Sequence, residues 1–430
     1  MEQLTAIFDI GKTNKKFLVF NREFELVYKI EQEFPQTVDD DGFECEDIEL
    51  LEKWIRETLQ EALESKELAI DKLNFSTYGA TLVYLDDKGK RVTPVYNYLK
   101  EVEADIFEEF YSRYGGKENF CRETASPALG MLNSGLQIYW LKRRKPDQWQ
   151  KVKSILHLPQ YLSYLFTGKI HSEYTSIGCH TGLWNFDEMR YHDWLAAENI
   201  KLPEPVINST THEVDISGSK IMVGIGIHDS SASMVPLFNR EKEKFLLLST
   251  GTWVINMNPF NDEPLTLAQL QADCLCYMSI WQRQVMASRL FLGHIHEKNV
   301  IELTKYFEVD KEQYKSVTAK SIKVAQVFDK GKSIFFKTGI PANYETDLSE
   351  LSMFDNFEDA YIQLMLELAA FEKQQIDRIV DGEKLSNIII TGGFIKNQLF
   401  IAFLEKFYPD MRIKPAEIAN SSALGAALVF

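Results

Sequence analysis

The feature that most constrains the fold of this chain is the stretch IFDIGKTNKK, residues 7–16, close to its start. Its letters Gly11-Lys12-Thr13 coincide with the end of the nucleotide-binding P-loop pattern, G-x-x-x-x-G-K-[ST]. A P-loop also requires a glycine where Ala6 stands, and a following helix whose N-terminal amides hold the phosphates. Residues 16–20 are instead a short apolar, β-rich run. The stretch therefore predicts a β-hairpin and not a P-loop.

The same pattern of strand, turn and strand returns in the second half of the chain. Residues 245–257 run apolar, polar and apolar again around Gly251. The charged residues 239–244 lie just before this pattern and are the predicted domain boundary. At 430 residues the chain is too long for one ordinary core, which favours two domains of about 200 residues. We predict an N-terminal domain over residues 1–242 and a C-terminal domain over residues 243–430.

Hydrophobic periodicity predicts that strands and helices alternate along the chain, which is typical of an α/β protein. Predicted strands cover residues 4–10, 16–20, 24–30, 73–77, 81–85, 220–227, 245–248, 253–257 and 387–390. Predicted helices cover residues 45–68, 103–114, 131–144, 159–166, 230–238, 356–381, a segment ending at 407, and 421–429.

Charge and cysteine content narrow the function classes. The formal net charge of −16 argues against a nucleic-acid or anionic membrane partner, because such binding needs a basic face. The five cysteines are scattered, and Cys274 and Cys276 do not have the spacing of a zinc site, so core packing is expected. No apolar run reaches the about 18 residues of a membrane span. The sequence predicts a cytosolic protein without nucleic-acid or membrane partners.

Asp9 is the first candidate site residue, because it ends the first predicted strand directly before the polar turn. A carboxylate beside amide, hydroxyl and ammonium groups suits a magnesium-bound polyphosphate, since magnesium takes few protein carboxylates and completes its shell with water and phosphate. An ordinary hairpin capped by an aspartate explains the same letters. Both interpretations stay open on this segment alone.

Two turns that contain glycine supply further candidates. Gly251 permits close approach of the backbone to an anion at the second predicted hairpin. Gly392 and Gly393 lie between a strand and a helix, where a nucleotide can be held at the helix N-terminus. Such turns are also common in α/β proteins that bind no nucleotide, so neither is specific by itself.

Asp229, in the stretch GIHDSSAS, is the fourth candidate. It falls where a predicted strand ends and a predicted helix begins, so the helix dipole is expected to favour its ionised form. An ionised carboxylate there can orient a substrate hydroxyl and accept its proton during phosphoryl transfer. A plain helix N-cap is the alternative for Asp229, and a packed core histidine is the alternative for its neighbour His228.

Taken together and in order, these sites resemble those of the FGGY carbohydrate kinases over nearly the whole chain, and rhamnulokinases and fuculokinases in particular. Six segments carry the resemblance: FDIGKTNKK, FSTYGATLVYLDDKGKRVTPVYNY, LPQYLSYLFTGKIHSEYTS, GIHDSSAS, LLLSTGTW, and ITGGFIKNQLF with SSALGAA. The resemblance implies two actin-like, ribonuclease H-like domains with an interdomain cleft, in which ATP and a sugar meet.

The resemblance also implies residue roles. Asp9 would help place magnesium, and Asp229 would be the general base that takes the proton of the acceptor hydroxyl. The residues implied at the ATP phosphates are Lys12, Thr13, Asn14, Lys15, Lys16, Gly251 and Thr252. The residues implied at the adenosine are Gly392, Gly393 and Asn397. The residues implied at the sugar are Tyr78, Gly79, Ala80, His228, Asp229 and Ser230.

The implied activity is that of a kinase that uses ATP and Mg²⁺ to phosphorylate a ketose. A deoxy-ketohexose such as L-rhamnulose or L-fuculose, giving the 1-phosphate, is the leading acceptor. A xylulose-type pentulose or another polyol is the nearest alternative, and an actin-like ATP-binding regulator without a sugar acceptor is the alternative from another class. The family closes its cleft on substrate, which implies a hinge near residues 239–244. A homodimer is left open.

Two departures from the rhamnulokinase pattern fall on implied sugar contacts. Asn97 and Tyr98 follow Tyr96 where rhamnulokinases usually carry an Arg-Asp pair, and Gly293 aligns with an asparagine. These differences leave the identity of the sugar open and the ATP side unchanged. Trp253, next to the second turn, is expected to be a buried strand residue rather than a ligand contact.

Overall fold

The protein was examined as a computed structural model, which describes residues 3–65, 67–380, 382 and 384–430. The strands of the first half are β1 (Leu4–Ile10), β2 (Asn14–Phe20), β3 (Leu26–Glu33), β4 (Thr37–Val38), β5 (Glu44–Cys45), β6 (Ile70–Thr77), β7 (Leu82–Leu85), β8 (Ser154–His157), β9 (Ser172–Glu173), β10 (Trp184–Asn185), β11 (Arg190–Tyr191), β12 (Pro205–Val206), β13 (Thr211–Ile216), β14 (Ser219–Gly224) and β15 (Ile227–His228). The helices of the first half are α1 (Ile48–Glu64), α2 (Ala104–Arg113), α3 (Lys117–Glu123), α4 (Ser134–Arg144), α5 (Pro146–Trp149), α6 (Leu158–Thr167), α7 (Tyr174–Ile177), α8 (Trp194–Ala197) and α9 (Asp229–Arg240).

The second half has fewer and longer elements. Its strands are β16 (Phe245–Thr250), β17 (Val254–Asn258), β18 (Cys274–Met278), β19 (Gln284–Leu290), β20 (Asn387–Gly392) and β21 (Arg412–Pro415). Its helices are α10 (Leu267–Gln271), α11 (Leu292–Tyr306), α12 (Ser321–Lys330), α13 (Phe357–Ile379), α14 (Gln398–Phe407) and α15 (Ser421–Leu428). Short 3₁₀ turns cover Gly130–Leu132, Gln313–Ser316, Leu348–Met353 and Gly393–Lys396.

Each half is built on one mixed sheet that begins with a hairpin. In the first sheet the strand order is β13-β14-β6-β1-β2-β3, with β15 also paired to β6, and in the second it is β18-β19-β17-β16-β20-β21. β1 pairs antiparallel with β2 and parallel with β6, and β16 pairs antiparallel with β17 and parallel with β20. The Gly11 N–H donates to the Asn14 carbonyl over 2.9 Å, as the Gly251 N–H does to the Trp253 carbonyl. Both predicted hairpins and the α/β fold class are confirmed.

The first sheet is covered by helices on both faces. Because side chains alternate along a strand, Phe8 and Ile10 of β1 pack into the core that contains α1 and α6. Ile7 packs on the opposite face with α9 and α15. The helix α15 therefore belongs to the second half by sequence and packs on the first sheet. The domain division at residues 242 and 243 stays a prediction.

The predicted strand over residues 220–227 is interrupted, and the interruption matters for the site. β14 ends at Gly224, and β15 begins only at Ile227 after Gly226, whose φ is +82°. The Gly226 N–H donates to Asn74 Oδ1 over 3.1 Å, and a Cβ at Gly226 would lie 2.5 Å from the Pro159 carbonyl oxygen. Only glycine fits this close approach. The interruption sets where β15 ends and where α9 begins.

Whole elements between residues 258 and 355 were not predicted, among them β18, β19, α11 and α12, and further differences lie at element ends. Helix α1 begins at Ile48, three residues later than predicted, because Asp47 caps it by accepting from the Leu50 N–H over 3.0 Å. The predicted last residue of the helix over 356–381 lies outside the described residues, and α13 ends at Ile379. All five cysteines are free and buried, which confirms the core packing predicted for Cys274 and Cys276. Among the described helices none is long and apolar enough to span a bilayer.

Candidate active site

Parallel strand ends bring the candidate carboxylates to one edge of the first sheet. The registers place Asp9 of β1 beside Ser76 of β6, and Ser76 beside Ile227 of β15. Asp229 follows Ile227 by two residues and is the first residue of α9. Burial raises the pKa of Asp9, and the negative charge of Asp229 adds to this rise. The structure thus brings together Asp9 and Asp229, which are 220 positions apart in the sequence.

Asp229 combines a partly exposed side chain with a raised pKa. Its side chain is 34% exposed, yet desolvation by the surrounding protein raises the pKa of the carboxyl group to about 6. The Ser230 hydroxyl donates to Asp229 Oδ1 over 3.3 Å, which opposes the rise. The sequence predicts that the helix start favours the ionised form, but here burial outweighs that contribution. A carboxylate with this pKa is mostly ionised at pH 7 and can still accept a proton.

His228 packs tightly beside Asp229. It is 5% exposed, and its Nδ1 accepts from the Ser230 N–H over 3.2 Å, which caps α9. Burial lowers the pKa of His228 to about 4, so the ring is neutral at pH 7. A Cβ at Gly79 would lie 2.4 Å from His228 Nε2, so the ring rests on the Gly79 backbone. These contacts favour the packed interpretation, in which His228 positions Asp229.

Asp9 has the surroundings expected of a magnesium ligand. Ser422 Oγ of α15 lies 2.9 and 3.0 Å from the two carboxylate oxygens and donates to them. Lys16, opposite Asp9 on β2, opposes the rise in pKa that burial causes. The buried Oδ1 of Asn14, two residues before Lys16, has no hydrogen-bond partner among the described residues. Oxygen donors of this kind, beside a desolvated carboxylate, fit a hard divalent cation.

The prediction that Lys15 lines the ATP phosphates does not agree with the structure. Lys15 is buried, and its Nζ lies 3.0 Å from Glu46 Oε1 and donates to the Lys12 carbonyl over 3.0 Å. Successive side chains of a strand point to opposite faces of the sheet. Lys16 therefore lies on the face of Asp9, while Lys15 lies on the other face and forms a structural ion pair.

Lys12 extends from the first hairpin toward residues predicted at the sugar. Its Nζ lies 5.4 Å from the ring centres of both Tyr78 and Tyr98, within cation–π range. Burial lowers the pKa of Lys12, although Glu46 opposes this. Thr13 is exposed at the tip of the same turn. Lys12 thus lies between the phosphate turn and the sugar side, and its predicted phosphate contact stays a prediction.

The segment that departs from the rhamnulokinase pattern places a tyrosine near Asp229. Burial raises the pKa of Tyr98, and the charge of Asp229 adds to the rise. Asn97 Oδ1 accepts from the Leu99 N–H within its own turn over 3.0 Å, and its Nδ2 donates to the Glu44 carbonyl of β5 over 3.0 Å. Ala80 has φ of +56°, and its carbonyl accepts from Gln137 Nε2 over 2.7 Å. Tyr98 is therefore a candidate sugar contact, and Asn97 is structural.

A cavity of about 540 Å³ in the second half joins the second hairpin to the glycine turn after β20. This volume lies within the usual range of small-ligand sites. The predicted residues at its wall are Gly251, Thr252, Gly393 and Asn397. Gly293, predicted from the sequence to align with a sugar contact, also lines this cavity. Phe394, Lys396 and Gln398 belong to the quoted segment ITGGFIKNQLF but were given no role of their own. The wall residues without any sequence signal are His296, Glu297, Tyr314, Lys315, Val317 and Thr318. The cavity is the candidate site for the nucleoside part of ATP.

The Tyr361 hydroxyl holds two residues of the cavity wall, His296 and Asn397, through hydrogen bonds. The Tyr361 hydroxyl lies 2.9 Å from His296 Nε2 and accepts from Asn397 Nδ2 over 2.9 Å. Asn397 Oδ1 caps α14 by accepting from the Phe400 N–H over 3.1 Å. Gly392 does not line the cavity; its φ is +83°, and a Cβ there would lie 1.8 Å from the Thr250 carbonyl oxygen. Gly392 thus brings β16 and β20 together, while Gly393 borders the cavity.

Trp253 is not the buried strand residue that the sequence predicts. It lies in the turn before β17 and is 42% exposed. Its ring stacks on Phe291 at 4.5 Å between ring centres, and the Arg289 guanidinium lies 5.5 Å from its ring centre. Because β17 begins at Val254, one residue later than predicted, Trp253 lies outside the ladder of β16 and β17.

The whole chain matches one family of proteins. Residues 4–235 match the N-terminal domain of the FGGY family of carbohydrate kinases, and residues 242–430 match the carbohydrate kinase FGGY C-terminal domain. Among curated relatives, the rhamnulokinase of Yersinia pestis (strain Pestoides F) is 27% identical over 240 residues, which is 54% of this chain and 48% of the relative. The rhamnulokinase of Oceanobacillus iheyensis is 24% identical over 269 residues, 59% of this chain and 55% of the relative. The chain thus matches about half the length of these curated relatives.

Solved structures of carbohydrate kinases share the fold of the whole chain. A carbohydrate kinase from Novosphingobium aromaticivorans superposes with a TM-score of 0.81 at 21% identity, covering 99% of this chain and 90% of that one. The ligand-bound xylulose kinase from Lactobacillus acidophilus gives 0.76 at 17% identity, covering 99% and 88%. A gluconate kinase from the same organism gives 0.76 at 16% identity, covering 100% and 89%. At these identities the similarity concerns the fold.

Proposed function

Because this chain belongs to the FGGY family of carbohydrate kinases, we propose that it transfers the γ-phosphoryl group of ATP to a hydroxyl group of a ketose. The observation that carries the proposal is the position of Asp229 at the sheet edge beside Asp9, partly exposed and with a pKa of about 6. A plain helix cap does not need a desolvated carboxylate, whereas a general base benefits from a raised pKa.

In the proposed reaction, Asp229 accepts the proton of the acceptor hydroxyl while the hydroxyl oxygen attacks the γ-phosphorus. The bond from that phosphorus to the bridging oxygen of ADP breaks, and ADP leaves. Lys16 faces the phosphates from the first hairpin, and the backbone of Gly251 and Thr252 approaches them from the second. Asp9 and the Asn14 amide oxygen would hold Mg²⁺, which neutralises charge on the phosphates.

The acceptor is the less determined part of the proposal. We place a deoxy-ketohexose, L-rhamnulose or L-fuculose, first, with phosphorylation at the 1-hydroxyl; the relatedness to rhamnulokinases supports this. A xylulose-type pentulose or another polyol is the alternative, supported by the fold neighbours named as xylulose kinases. An actin-like ATP-binding regulator would have no use for a base at Asp229.

The test measures ADP release by the wild type and by the Asp229→Asn variant with L-rhamnulose, L-fuculose, D-xylulose and no sugar. We expect sugar-dependent turnover in the wild type and a loss of about 10²–10⁴-fold in the variant. The exposed Asp87→Ala variant is the matched control and is expected to behave as wild type. Unchanged turnover in Asp229→Asn contradicts the mechanism. ATP hydrolysis that no sugar increases supports the regulator instead.

A further inference from the structure

A second group of polar side chains lies near Asp229, on the loop after α7 and on β18 and β19. The loop after α7 carries His180, whose φ of +40° is unusual for a residue with a side chain. The loop packs against the end of β18, where a Cβ at Gly178 would lie 2.4 Å from Met278 Cβ. The ring of His180 lies 6.2 Å from that of Tyr277, the residue before Met278. Two separate parts of the chain therefore meet at His180 and Tyr277.

Arg289 of β19 belongs to the same group. Its guanidinium donates to Asp273 through Nη2 and lies against the Trp253 ring. The side chain is 16% exposed. Its buried Nε has no hydrogen-bond partner among the described residues, and the same holds for Nδ1 of His180. A buried polar atom without a partner is costly, which suggests that a ligand or water completes it.

The Ser231 hydroxyl of α9 donates to the Met278 carbonyl over 2.8 Å, which places Tyr277 and Met278 near the start of α9 and therefore near Asp229. Burial raises the pKa of Tyr277, with contributions from Cys179 and Asp229, and Arg289 opposes the rise. Burial lowers the pKa of His180 to about 3, and His228 and Arg289 lower it further. His180 is therefore neutral, and the charge of Arg289 is balanced by Asp273. The group offers hydrogen bonds without a net charge.

We propose that Arg289, His180 and Tyr277 bind hydroxyl groups of the acceptor opposite Asp229, and that they select an uncharged polyhydroxylated acceptor over an acid sugar. This rests on the proposed kinase function. A sugar hydroxyl both donates and accepts, so it satisfies the Arg289 Nε–H and the tyrosine or imidazole at once. The carboxylate of an acid sugar would need a cation whose charge is not yet balanced. The charge of Arg289 is already balanced by Asp273.

The test uses the full chain with L-rhamnulose, L-fuculose, D-xylulose and D-gluconate. In Arg289→Gln we expect the KM of the preferred ketose to rise about 10-fold or more, because a buried donor to the substrate is lost. The KM of ATP and the thermal midpoint should stay close to wild type. Arg289→Lys, which keeps the charge but not the planar fork, should show a smaller rise. Arg283→Gln, at an exposed arginine paired with Asp262, is the control.

The outcomes separate this inference from the proposed function. Wild-type turnover with an unchanged ketose KM in Arg289→Gln overturns the inference alone. A parallel rise in the KM of ATP, or loss of folded protein in both Arg289 variants, gives Arg289 a structural role and also overturns it. Preference of the wild type for D-gluconate overturns the selection of an uncharged acceptor. If the wild type phosphorylates none of the four, the proposed function fails, and the inference fails with it.

Discussion

At the residue scale, Asp229 has a protonation state that decides whether it can act. Its pKa of about 6 lies about two units above the usual value because burial disfavours the charged form. A general base must be deprotonated, so we expect kcat to fall about tenfold per pH unit below pH 6 and to level off above it. A pH profile of sugar-dependent ADP release measures this. A profile that is flat down to pH 4.5 contradicts the assignment of the base.

The pH dependence of thermal stability gives a second test of the raised pKa of Asp229. The folded pKa lies above the unfolded one, so the charged form destabilises the folded chain above about pH 6 and has no effect below about pH 4, where both states are protonated. We expect Asp229→Asn to have a higher thermal midpoint than wild type at pH 8. The advantage should disappear as the pH falls toward 4. Thermal denaturation across this range is the measurement, and an equal midpoint at pH 8 contradicts the desolvation of Asp229.

Substitutions of Lys15 and Lys16, neighbours on β2, are expected to change different properties: stability at Lys15 and the KM of ATP at Lys16. Lys15 is buried with Glu46, so Lys15→Met leaves an unpaired buried carboxylate and should destabilise the chain by about 3–5 kcal/mol. Lys16→Met should leave stability within about 1 kcal/mol of wild type and raise the KM of ATP, because Lys16 faces the site. Denaturant unfolding and ATP kinetics measure the two effects. Similar effects of both variants on the KM of ATP would restore the phosphate role of Lys15.

At the element scale, the two glycines after β20 have different tasks. Gly392 has a positive φ, and a Cβ there would meet the Thr250 carbonyl oxygen, whereas a Cβ at Gly393 meets nothing within 4 Å. Gly392→Ala should therefore cost more than about 1 kcal/mol of stability. Gly393→Ala should leave the thermal midpoint unchanged and alter only the KM of ATP, since Gly393 borders the cavity. Equal destabilisation by both variants contradicts this division.

The sequence was sufficient to predict elements whose patterns are local. The hairpins, the α/β class and the positions of Asp9 and Asp229 follow from short apolar runs and from the residues at their ends. The face of Lys15 was not predictable, because it depends on which residue of β2 opposes Asp9. The exposure of Trp253 depends on the start of β17, which lies one residue later than predicted. The residues of a short segment do not by themselves determine the register of a strand or the residue at which it begins.

Part of the wall of the nucleoside cavity lacked a sequence signal for another reason. The wall residues without a signal belong to α11, to the 3₁₀ turn Gln313–Ser316 and to the two residues after it, and they meet the glycine turns only after folding. His296 and Tyr314 are spaced irregularly in a segment without a glycine motif. A polar residue on the buried face of α11, such as His296, was the one available indication, and it is explained equally well by its contact with Tyr361.

At the scale of the whole molecule, the two halves are joined at more places than the linker. Glu241 pairs with Lys414 at 2.7 Å, and Glu243 pairs with Arg412, so the segment 239–244 is fastened to the second half. Ser231 Oγ of α9 donates to the Met278 carbonyl over 2.8 Å. We therefore expect a closure of the cleft to turn at the end of α9 and to shift the contact at Met278. The hinge itself stays a prediction.

The helix α15 links the chain end to the metal candidate. A Cβ at Gly425 would lie 1.8 Å from the Ala232 carbonyl oxygen of α9, so the two helices pack with no room for a larger residue. Gly425→Val is expected to displace α15, to destabilise the chain by about 1–3 kcal/mol and to abolish turnover. Ser422→Ala should keep α15 in place and remove only the hydroxyl that donates to Asp9.

The Gly425→Val and Ser422→Ala variants separate the packing of α15 from the binding of Mg²⁺ at Asp9. Without Ser422 Oγ the pKa of Asp9 rises further, because that hydrogen bond opposes the effect of burial. The concentration of Mg²⁺ needed for half-maximal turnover should then rise a few-fold in Ser422→Ala, with a thermal midpoint close to wild type, since one hydrogen bond contributes about 1 kcal/mol. Titration of turnover with Mg²⁺ and thermal denaturation measure the two effects. A Mg²⁺ requirement unchanged in Ser422→Ala argues that Asp9 holds the helix and not the metal.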